Sequence, residues 1–412
     1  MKLLPPACLS AFHNRALLRL CAGELISTAG SALTTLAASI LVYRQTGSTL
    51  QVSLLLVAAA LPSLLVGLIA GVFVDRLDRK RVLIASDLGR AVLSFLIPLT
   101  ISHGSFWLYA IVFLSSAVGQ FFNPAHESIL ADIAKEKERT RANSLMALSG
   151  FGATTLGFAA CGLIVSHFPL QWAFYLDAFS YLFSVLCIGG IGAAGSRSNE
   201  IPRPLAAVFS DFKSGCGYLM QNAGLRALLS ASVPVVLAFG LWNSLLLPFS
   251  LHILHASTYD YGLQEGLTAI GFAAGCLTVM RLGDRLRPVQ WILFSVIGLG
   301  TVGVYYALCT KIPLAIGLVM VTGLLNAPYS VARRLIIQTS TQRETRGRIN
   351  SIFLVTRDVA YLIGMSAAGL ADVMDIRILV AASGALLLSA GLMMLWLAAP
   401  RQVKNEHLVG TI

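Results

Sequence analysis

The chain has 412 residues, of which 56% are hydrophobic and only 12% are charged, about half of the ~25% found in soluble domains. A soluble fold could not cover so much apolar surface, which excludes that class. The net charge of +11 does not indicate nucleic-acid binding, because the basic residues fall in alternate loops and only Arg44, Lys311 and Arg377 lie on the opposite side.

Apolar runs of roughly 18 residues or more recur along the whole chain, and each can cross ~30 Å of hydrocarbon as a helix. They predict an all-α polytopic membrane protein with twelve transmembrane helices in two six-helix bundles. The predicted helices, numbered 1 to 12 in chain order, are 17–43, 52–74, 82–102, 106–129, 144–167, 172–194, 225–253, 261–282, 289–310, 313–337, 349–373 and 378–398. The even number of helices and the basic loops predict a multi-pass protein of the inner or plasma membrane with both termini in the cytoplasm.

The composition changes after helix 6. Pro202 and Pro204 end the helical pattern, and residues 205–221 then mix large apolar side chains with charges, as in a helix that lies in the membrane interface. The predicted domains are an N-terminal six-helix bundle, 1–195, a cytoplasmic linker with an interfacial helix, 196–222, and a C-terminal six-helix bundle, 223–412.

Short motifs recur between the two halves at nearly constant offsets. DR at 75–76 returns at 284–285, 209 residues on; NPA at 123–125 returns as NAP at 326–328, 203 on; RANS at 141–144 returns as RINS at 348–351, 207 on. The same motif at the same place in each half indicates a parallel repeat of six helices. In such repeats the substrate site usually lies between the halves near the midplane of the bilayer.

Residues 71–81 read GVFVDRLDRKR and separate two apolar runs. Because so many charges cannot lie in hydrocarbon, this stretch predicts a tight hairpin at one membrane face. Gly71 allows a neighbouring helix to approach, and Asp75 is an anion at the membrane edge. Arg76, Arg79 and Lys80 anchor the turn. The alternative is a plain basic loop that only sets the topology.

The 71–81 stretch resembles the loop between helices 2 and 3 in the major facilitator superfamily (MFS), and the twelve helices extend the resemblance over the chain. More narrowly, YRQTGS at 43–48, FNPA at 122–125, Ala142-Asn143 and Asp177 resemble the branch of macrolide-efflux proteins and enterobactin exporters. The resemblance implies the MFS fold and alternating access.

The same resemblance implies a cytoplasmic gate in which Gly71 and Asp75 close against the start of helix 11, around residues 346–350. Further gate candidates are Arg76, Arg79, Lys80, Pro124, Asp284 and Arg285. Helix 4 lacks the arginine that the superfamily's antiporters often carry there, so we expect Asp75 to contact helix 11 and a nearby cation such as Arg90 or Arg346. Pro124 is expected to break the end of helix 4.

Carboxylates inside the apolar runs are candidates for proton coupling. Glu24 lies about two turns into helix 1, and Asp177 about two turns into helix 6. Such a charge costs roughly 2.5–3.5 kcal/mol on insertion scales, so it usually faces a cavity or a partner. The alternatives are structural: Glu24 hydrogen-bonded to nearby hydroxyls, and Asp177 bridging helices 5 and 6.

Arg357 and Asp358 lie about ten residues into helix 11, ~15 Å along its axis and near the midplane if the helix begins at Arg348. Asp358 is the third proton-coupling candidate, and Arg357 would attract an anionic group of the substrate or Glu24. If helix 11 begins later, the pair lies at the headgroups instead. Adjacent residues point about 100° apart on a helix, so we expect the two to face different directions.

Trp242 and Asn243 interrupt the apolar run of helix 7 and are candidates for lining a substrate cavity, since interrupted helices often line cavities near the midplane. An aromatic lining suits a hydrophobic or amphipathic substrate. Core packing of Trp242 is the alternative.

Catalytic and phosphate-loop motifs are absent from the sequence, and the cysteines are scattered, so we expect no enzyme activity, cofactor or metal. The predicted function is proton-coupled export of an amphipathic small molecule, a drug or siderophore, by a monomer among membrane lipids. A lysophospholipid or lipid transporter is the alternative within transport. A non-transporting receptor or scaffold is the alternative of another class.

Overall fold

The computed structural model describes residues 14–74, 77–101, 104–133, 139–192, 214, 216–282, 285–339 and 343–398. Within these ranges the chain forms helices and turns and no β-strand. The hairpin residues Asp75 and Arg76, their repeat counterpart Asp284 and most of the predicted linker lie outside the described residues.

The helices are numbered α1 to α12 in chain order, and each coincides with one predicted helix. They are α1 Arg15–Thr46, α2 in two segments Thr49–Leu65 and Gly67–Val74, α3 Arg79–Thr100, α4 Ser105–Ile133, α5 Arg139–His167, α6 Gln171–Gly189, α7 Ala223–Pro248 with a π-helical turn Phe249–Ile253, α8 Thr258–Leu282, α9 Pro288–Ala307, α10 Ile312–Thr339, α11 Arg343–Ala367 with a 3₁₀ turn Ala368–Asp372, and α12 Ile376–Ala398. Ten of them are long and apolar enough to cross a membrane, and α2 and α5 contain shorter apolar helices. The predicted all-α membrane architecture is confirmed.

Side-chain caps and a glycine set the ends of α1. The Asn14 side chain accepts hydrogen bonds from the amides of Ala16 (3.1 Å) and Leu17 (3.3 Å) at its start. At its end Gly47 has φ +64° and donates its N–H to the Tyr43 carbonyl at 2.8 Å. A residue with a side chain pays a steric cost at that φ, which explains the glycine in the YRQTGS motif.

The chain forms two compact units. Unit 1 contains Met1–Gly47, Leu54–Leu205 and Ser257–Ala269, and unit 2 contains Ser48–Ser53, Ala206–Ala256 and Ile270–Ile412. Each unit therefore includes one short segment from the other half of the sequence. Of the predicted interfacial helix, residues 216–221 are described and helical, and Leu219 is buried in unit 2 against Leu225, Ile349 and Phe353.

Glycines allow pairs of helices to approach at equivalent places in both units. In unit 1, a Cβ added at Gly157 of α5 would lie 2.2 Å from the carbonyl oxygen of Ala29 in α1. In unit 2, a Cβ at Gly364 of α11, 207 residues later, would lie 2.1 Å from the carbonyl oxygen of Leu237 in α7. Small residues at helix crossings are the usual means of close packing in membranes. The two halves thus repeat in packing as well as in motif.

Replacing Gly157 by alanine should destabilise the protein by about 1–3 kcal/mol, because the new methyl group meets backbone that cannot yield. Thermal unfolding of the detergent-solubilised protein measures this as a lower midpoint. The matched control is Gly152→Ala on the same helix, where an added Cβ meets no described atom within 4 Å and alanine favours the helix. Equal midpoints for the two variants would contradict the packing argument.

Candidate functional site

A cavity of about 270 Å³ lies inside unit 1, among α1, α2, α3, α4 and α6. Hydroxyl and amide side chains supply much of its lining, and one cation and one carboxylate face it. These polar residues are Ser31, Thr34, Thr35, Arg90, Ser94, Ser115, Ser116, Gln120, Asn123, Asp177 and Tyr181. A polar cavity inside an apolar helical unit is the arrangement expected of a substrate or ion site.

Asp177 of α6 is 1% exposed and borders this cavity. Its carboxylate accepts a hydrogen bond from Ser94 Oγ of α3 at 2.7 Å. Gly30 of α1 makes room for it, since a Cβ there would lie 2.6 Å from Asp177 Oδ1. The predicted membrane carboxylate is therefore a buried group held by hydroxyls and a glycine from two other helices.

Arg90 and Asp87 of α3 form an ion pair beside Asp177. The Asp87 side chain is fully buried and that of Arg90 is 13% exposed. The guanidinium lies 4.6 Å from the ring centroid of Phe122 in α4 and 4.5 Å from that of Tyr181 in α6. These rings hold the cation in place by cation–π attraction, which is strong where water is excluded.

A hydrogen bond holds one of these rings. The Tyr181 hydroxyl is 2.8 Å from Ser31 Oγ of α1, and Ser31 Oγ also donates to the Ser27 carbonyl at 2.8 Å. Tyr181 therefore connects α1 to the cation–π contact of Arg90. The polar network spans α1, α3, α4 and α6.

Glu24 pairs with His126. Glu24 Oε2 in α1 lies 3.6 Å from His126 Nε2 in α4, and the two side chains are 23% and 8% exposed. Neither atom has a hydrogen-bond partner among the described residues. The His126 ring stacks on Phe122, with centroids 5.6 Å apart. Phe122 thus contacts both His126 and Arg90.

The basic hairpin residues bind the end of α6. Lys80 Nζ donates to the carbonyls of Gly189 (2.9 Å) and Ile191 (2.6 Å), and Arg19 donates to that of Gly190. Cations at the C-terminus of a helix complement its dipole. Arg79 pairs with Asp132 at 2.8 Å, so the described cations of this hairpin stabilise unit 1 itself.

The other gate candidates are placed as follows. A Cβ at Gly71 would meet no described atom within 4 Å, and Arg285 is exposed. Pro124 does not break α4, which continues to Ile133. Apart from Ile349, the side chains around 346–350 lie outside the described residues, so the closure of Gly71 and Asp75 against helix 11 stays a prediction.

The candidates of the C-terminal half belong to unit 2. Arg357 pairs with its neighbour Asp358, with Nε 2.8 Å from Oδ1. The two side chains were expected to face different directions, but they meet because the long arginine side chain folds back. The apolar span here is Ile352–Asp372, which places the pair about 7 Å from its middle along the axis.

Trp242 of α7 is half-buried and its ring lies 4.9 Å from that of Tyr306 in α9, while Asn243 is exposed. This ring contact is consistent with core packing, which was the alternative for Trp242. The role of Trp242 and Asn243 in lining a substrate cavity stays a prediction.

The pairing of Asp87 and Arg90 was not predicted from the sequence. Arg90 was expected near Asp75, whereas the structure places it against Asp87, one helical turn away. A signal was present: an acid and a base three residues apart share one helix face, here inside the apolar run 82–102. Within the described ranges, no three His, Cys, Asp or Glu side chains come together to hold a metal ion.

These features define a helical membrane protein with a polar, charged interior, the construction of a transporter. The family model of the Major Facilitator Superfamily matches residues 20–242 and 228–410, so the chain belongs to this superfamily. Its members handle small-molecule substrates. The predicted membership is confirmed.

Relatives support the narrower resemblance. Multidrug efflux pump Tap of Mycolicibacterium fortuitum is 26% identical over 360 residues, 84% of this chain and 87% of Tap. Macrolide efflux protein A of Streptococcus pyogenes is 23% identical over 360 residues, 85% of this chain and 87% of that protein. The solved structure of nucleoside transporter NupG is similar with a TM-score of 0.76 at 12% identity, covering 93% of this chain and 98% of NupG. At that identity the match shows the fold alone.

Removing one member of the Asp87–Arg90 pair should be costly. Arg90→Gln leaves a fully buried carboxylate unpaired, and we expect a loss of about 3–5 kcal/mol. The double variant Asp87→Asn with Arg90→Gln should be less destabilised than the sum of the single variants. Thermal unfolding midpoints of all three in detergent measure this coupling.

The matched control is Arg81→Gln. Arg81 lies 3.7 Å from Asp78 in a pair of the same spacing, but its side chain is 88% exposed. An exposed pair contributes only about 0–1 kcal/mol. Additive losses at positions 87 and 90 would show that the two buried side chains are energetically independent.

Proposed function

We propose that this protein is a proton-coupled exporter of an amphipathic small molecule, a drug or a siderophore, that works by alternating access. The observation that carries the proposal is the charge balance in the unit 1 cluster. Among the described residues, the cluster holds two buried carboxylates, Asp87 and Asp177, and one cation, Arg90, which pairs with Asp87. A net negative charge in a low-dielectric interior is unfavourable, so a further positive charge is required.

Asp177 is the group that receives this charge. Asp87 already has Arg90 as its partner, whereas the described groups that donate to the Asp177 carboxylate are hydroxyls, among them those of Ser94 and Ser180. A proton on Asp177 balances the cluster, and so does a cationic group of the substrate in the adjoining cavity. Because the two occupy one place, binding of one favours release of the other, which is the basis of exchange.

Glu24 and His126 supply a second proton site in this proposal. A proton shared by the two leaves either a neutral pair or an ion pair, and both forms are tolerated in an apolar interior. Phe122 lies against both His126 and Arg90. The proton sites at Glu24 and Asp177 are therefore connected through one aromatic ring.

The relatives support the direction and the class of substrate. Two proteins that match most of the chain are named for efflux of drugs or macrolides. Export of an amphipathic small molecule is consistent with these names and with the half-buried Trp242. In this proposal Arg357, Trp242 and Asn243 contact the substrate, Asp358 is a third proton site, the protein is a monomer in the cell membrane, and the hairpin end is cytoplasmic.

Asp177→Asn should abolish transport driven by a proton gradient while leaving substrate exchange without a gradient, since asparagine has nearly the same shape and keeps one accepting oxygen but cannot take up a proton. Proteoliposomes with trapped pyranine report proton movement on addition of ethidium, a cationic amphipathic probe. The matched control is Asp132→Asn, an exposed carboxylate paired with Arg79, which should retain coupled transport. Wild-type protein that moves lysophospholipid and no proton would contradict the proposal.

Glu24→Gln should also uncouple transport from the proton gradient, and His126→Gln should do so to a smaller extent, because glutamine at 126 leaves the Glu24 carboxyl in place. The same proteoliposomes measure the ratio of protons to probe moved. The control is Glu127→Gln, an exposed carboxylate next to His126 on α4. An unchanged ratio in Glu24→Gln would remove Glu24 from the coupling mechanism.

A further inference from the structure

Hydroxyl groups that line the unit 1 cavity have their hydrogens engaged inside the protein. Thr35 Oγ1 donates to a carbonyl one turn earlier in α1 at 2.8 Å, and Ser116 Oγ of α4 donates to a carbonyl of α2 at 2.6 Å. Ser94 Oγ donates to the Asp177 carboxylate at 2.7 Å. Because a hydroxyl has one hydrogen and two lone pairs, these three oxygens can only accept from a ligand.

Ser31 and Tyr181 follow the same pattern. Ser31 Oγ lies 2.8 Å from the Ser27 carbonyl oxygen and 2.8 Å from the Tyr181 hydroxyl. Since a carbonyl cannot donate, the Ser31 hydrogen points to Ser27, and the Tyr181 hydroxyl donates to Ser31. Five of the seven lining hydroxyls therefore present lone pairs without a hydrogen.

The other polar groups of the lining do not offset this excess of acceptors. Asp177 adds carboxylate oxygens, and the amides of Gln120 and Asn123 both donate and accept. Arg90 is the cation of the described lining, and its guanidinium is paired with Asp87. The lining therefore favours a ligand that brings its own N–H or O–H donors.

The aromatic side chains near the cavity are already in use. A quaternary ammonium group is typically recognised by aromatic faces around its methyl groups. Tyr181 is the one aromatic side chain among the described lining residues, and its ring lies against the Arg90 guanidinium, as does that of Phe122. Methyl groups in the cavity would also leave dehydrated acceptor oxygens without partners, which is unfavourable.

Apolar side chains complete the lining. They come from α2, α3 and α4, and include Leu55, Leu56, Ile97 and Val112. An amphipathic ligand can therefore place its charged group at Asp177 and the hydroxyl oxygens, and keep an apolar group against these side chains.

We propose that the cationic group of the substrate is rich in N–H donors, a guanidinium or a primary ammonium, and that the acceptor oxygens of the lining select it over a fully methylated ammonium of the same charge. The inference rests on the proposed function, in which a cationic group of the substrate occupies this cavity. The charge of such a group compensates Asp177, and its donors satisfy the hydroxyl oxygens.

Phenethylguanidinium and phenethyltrimethylammonium test this selection, because they share an aromatic tail and a permanent single charge and differ in their donors. Isothermal titration calorimetry of the protein in lipid nanodiscs, with empty nanodiscs as the blank, gives the dissociation constant of each. We expect phenethylguanidinium to bind at least about tenfold more tightly, since two hydrogen bonds of ordinary net strength account for that ratio.

Thr35→Val tests whether the hydroxyl oxygens make the selection. Valine has nearly the shape of threonine and lacks the accepting oxygen, so the preference for phenethylguanidinium should fall by about three- to tenfold. Ser116→Ala should lower the preference in the same way from α4. Asp177→Asn, by contrast, should weaken the binding of both ligands, because it removes the charge that attracts them.

The matched control is Thr46→Val. Thr46 is exposed like Thr35, lies on the same helix and donates to the carbonyl four residues earlier at 2.8 Å, but it is not part of the cavity lining. Its replacement should leave the preference unchanged.

Equal affinity for the two ligands, or tighter binding of phenethyltrimethylammonium, would overturn the inference. So would a preference that persists undiminished in Thr35→Val and Ser116→Ala, and so would binding of neither ligand. The calorimetry uses no proton gradient. Absence of a preference would leave proton-coupled export standing, and failure of the Asp177 proteoliposome experiment would leave a measured preference standing.

Discussion

A charge inside a hydrocarbon-embedded fold must be neutralised, and the interior of unit 1 is arranged around that constraint. Arg90 is paired with Asp87 and enclosed by the rings of Phe122 and Tyr181. Asp177 is left with hydroxyl partners, so the cluster lacks one positive charge. In a soluble protein water would supply the compensation, whereas in the proposed mechanism a proton or a cationic group of the substrate supplies it. The transport proposal follows from this imbalance.

The helix packing depends on glycines where backbones approach. Gly157 and Gly364 bring α5 against α1 and α11 against α7 at equivalent places in the two units. Gly30 serves a different purpose, because the space it leaves is filled by the Ser180 hydroxyl and the Asp177 carboxylate. One small residue therefore links the packing of α1 on α6 to the position of the charged group.

The two halves share their architecture but differ in their interiors. The offset of 209 takes Asp87 and Arg90 of α3 to Val296 and Leu299 of α9, which are buried in an apolar cluster. Equivalent helices thus enclose a charged cavity in unit 1 and a core of apolar side chains at the same position in unit 2. The two halves therefore share the places where their helices cross. The ionisable side chains of this cluster, by contrast, belong to unit 1.

Much of the fold was predictable from the sequence because its determinants are local. Helix length and hydropathy follow from the insertion cost of each segment, so the twelve helices, their all-α class and the repeat could be read from the chain. Glu24 and Asp177 were found in the same way, since a carboxylate in an apolar run is visible without knowing its neighbours. Even the pair Asp87 and Arg90 left a readable trace in its spacing of three residues.

Only the tertiary structure decided which side chains meet. The rotation of each helix about its axis is set by packing against its neighbours, and a sequence pattern does not specify it. That rotation brings His126 to Glu24, Gly30 to Asp177, and the carboxylate of Asp372 to the first amides of α2. The sequence by itself determined a duplicated helical membrane transporter with acids in its interior. The partners of Glu24 and Asp177 lie more than 80 residues away in the chain, where local physical chemistry has no influence.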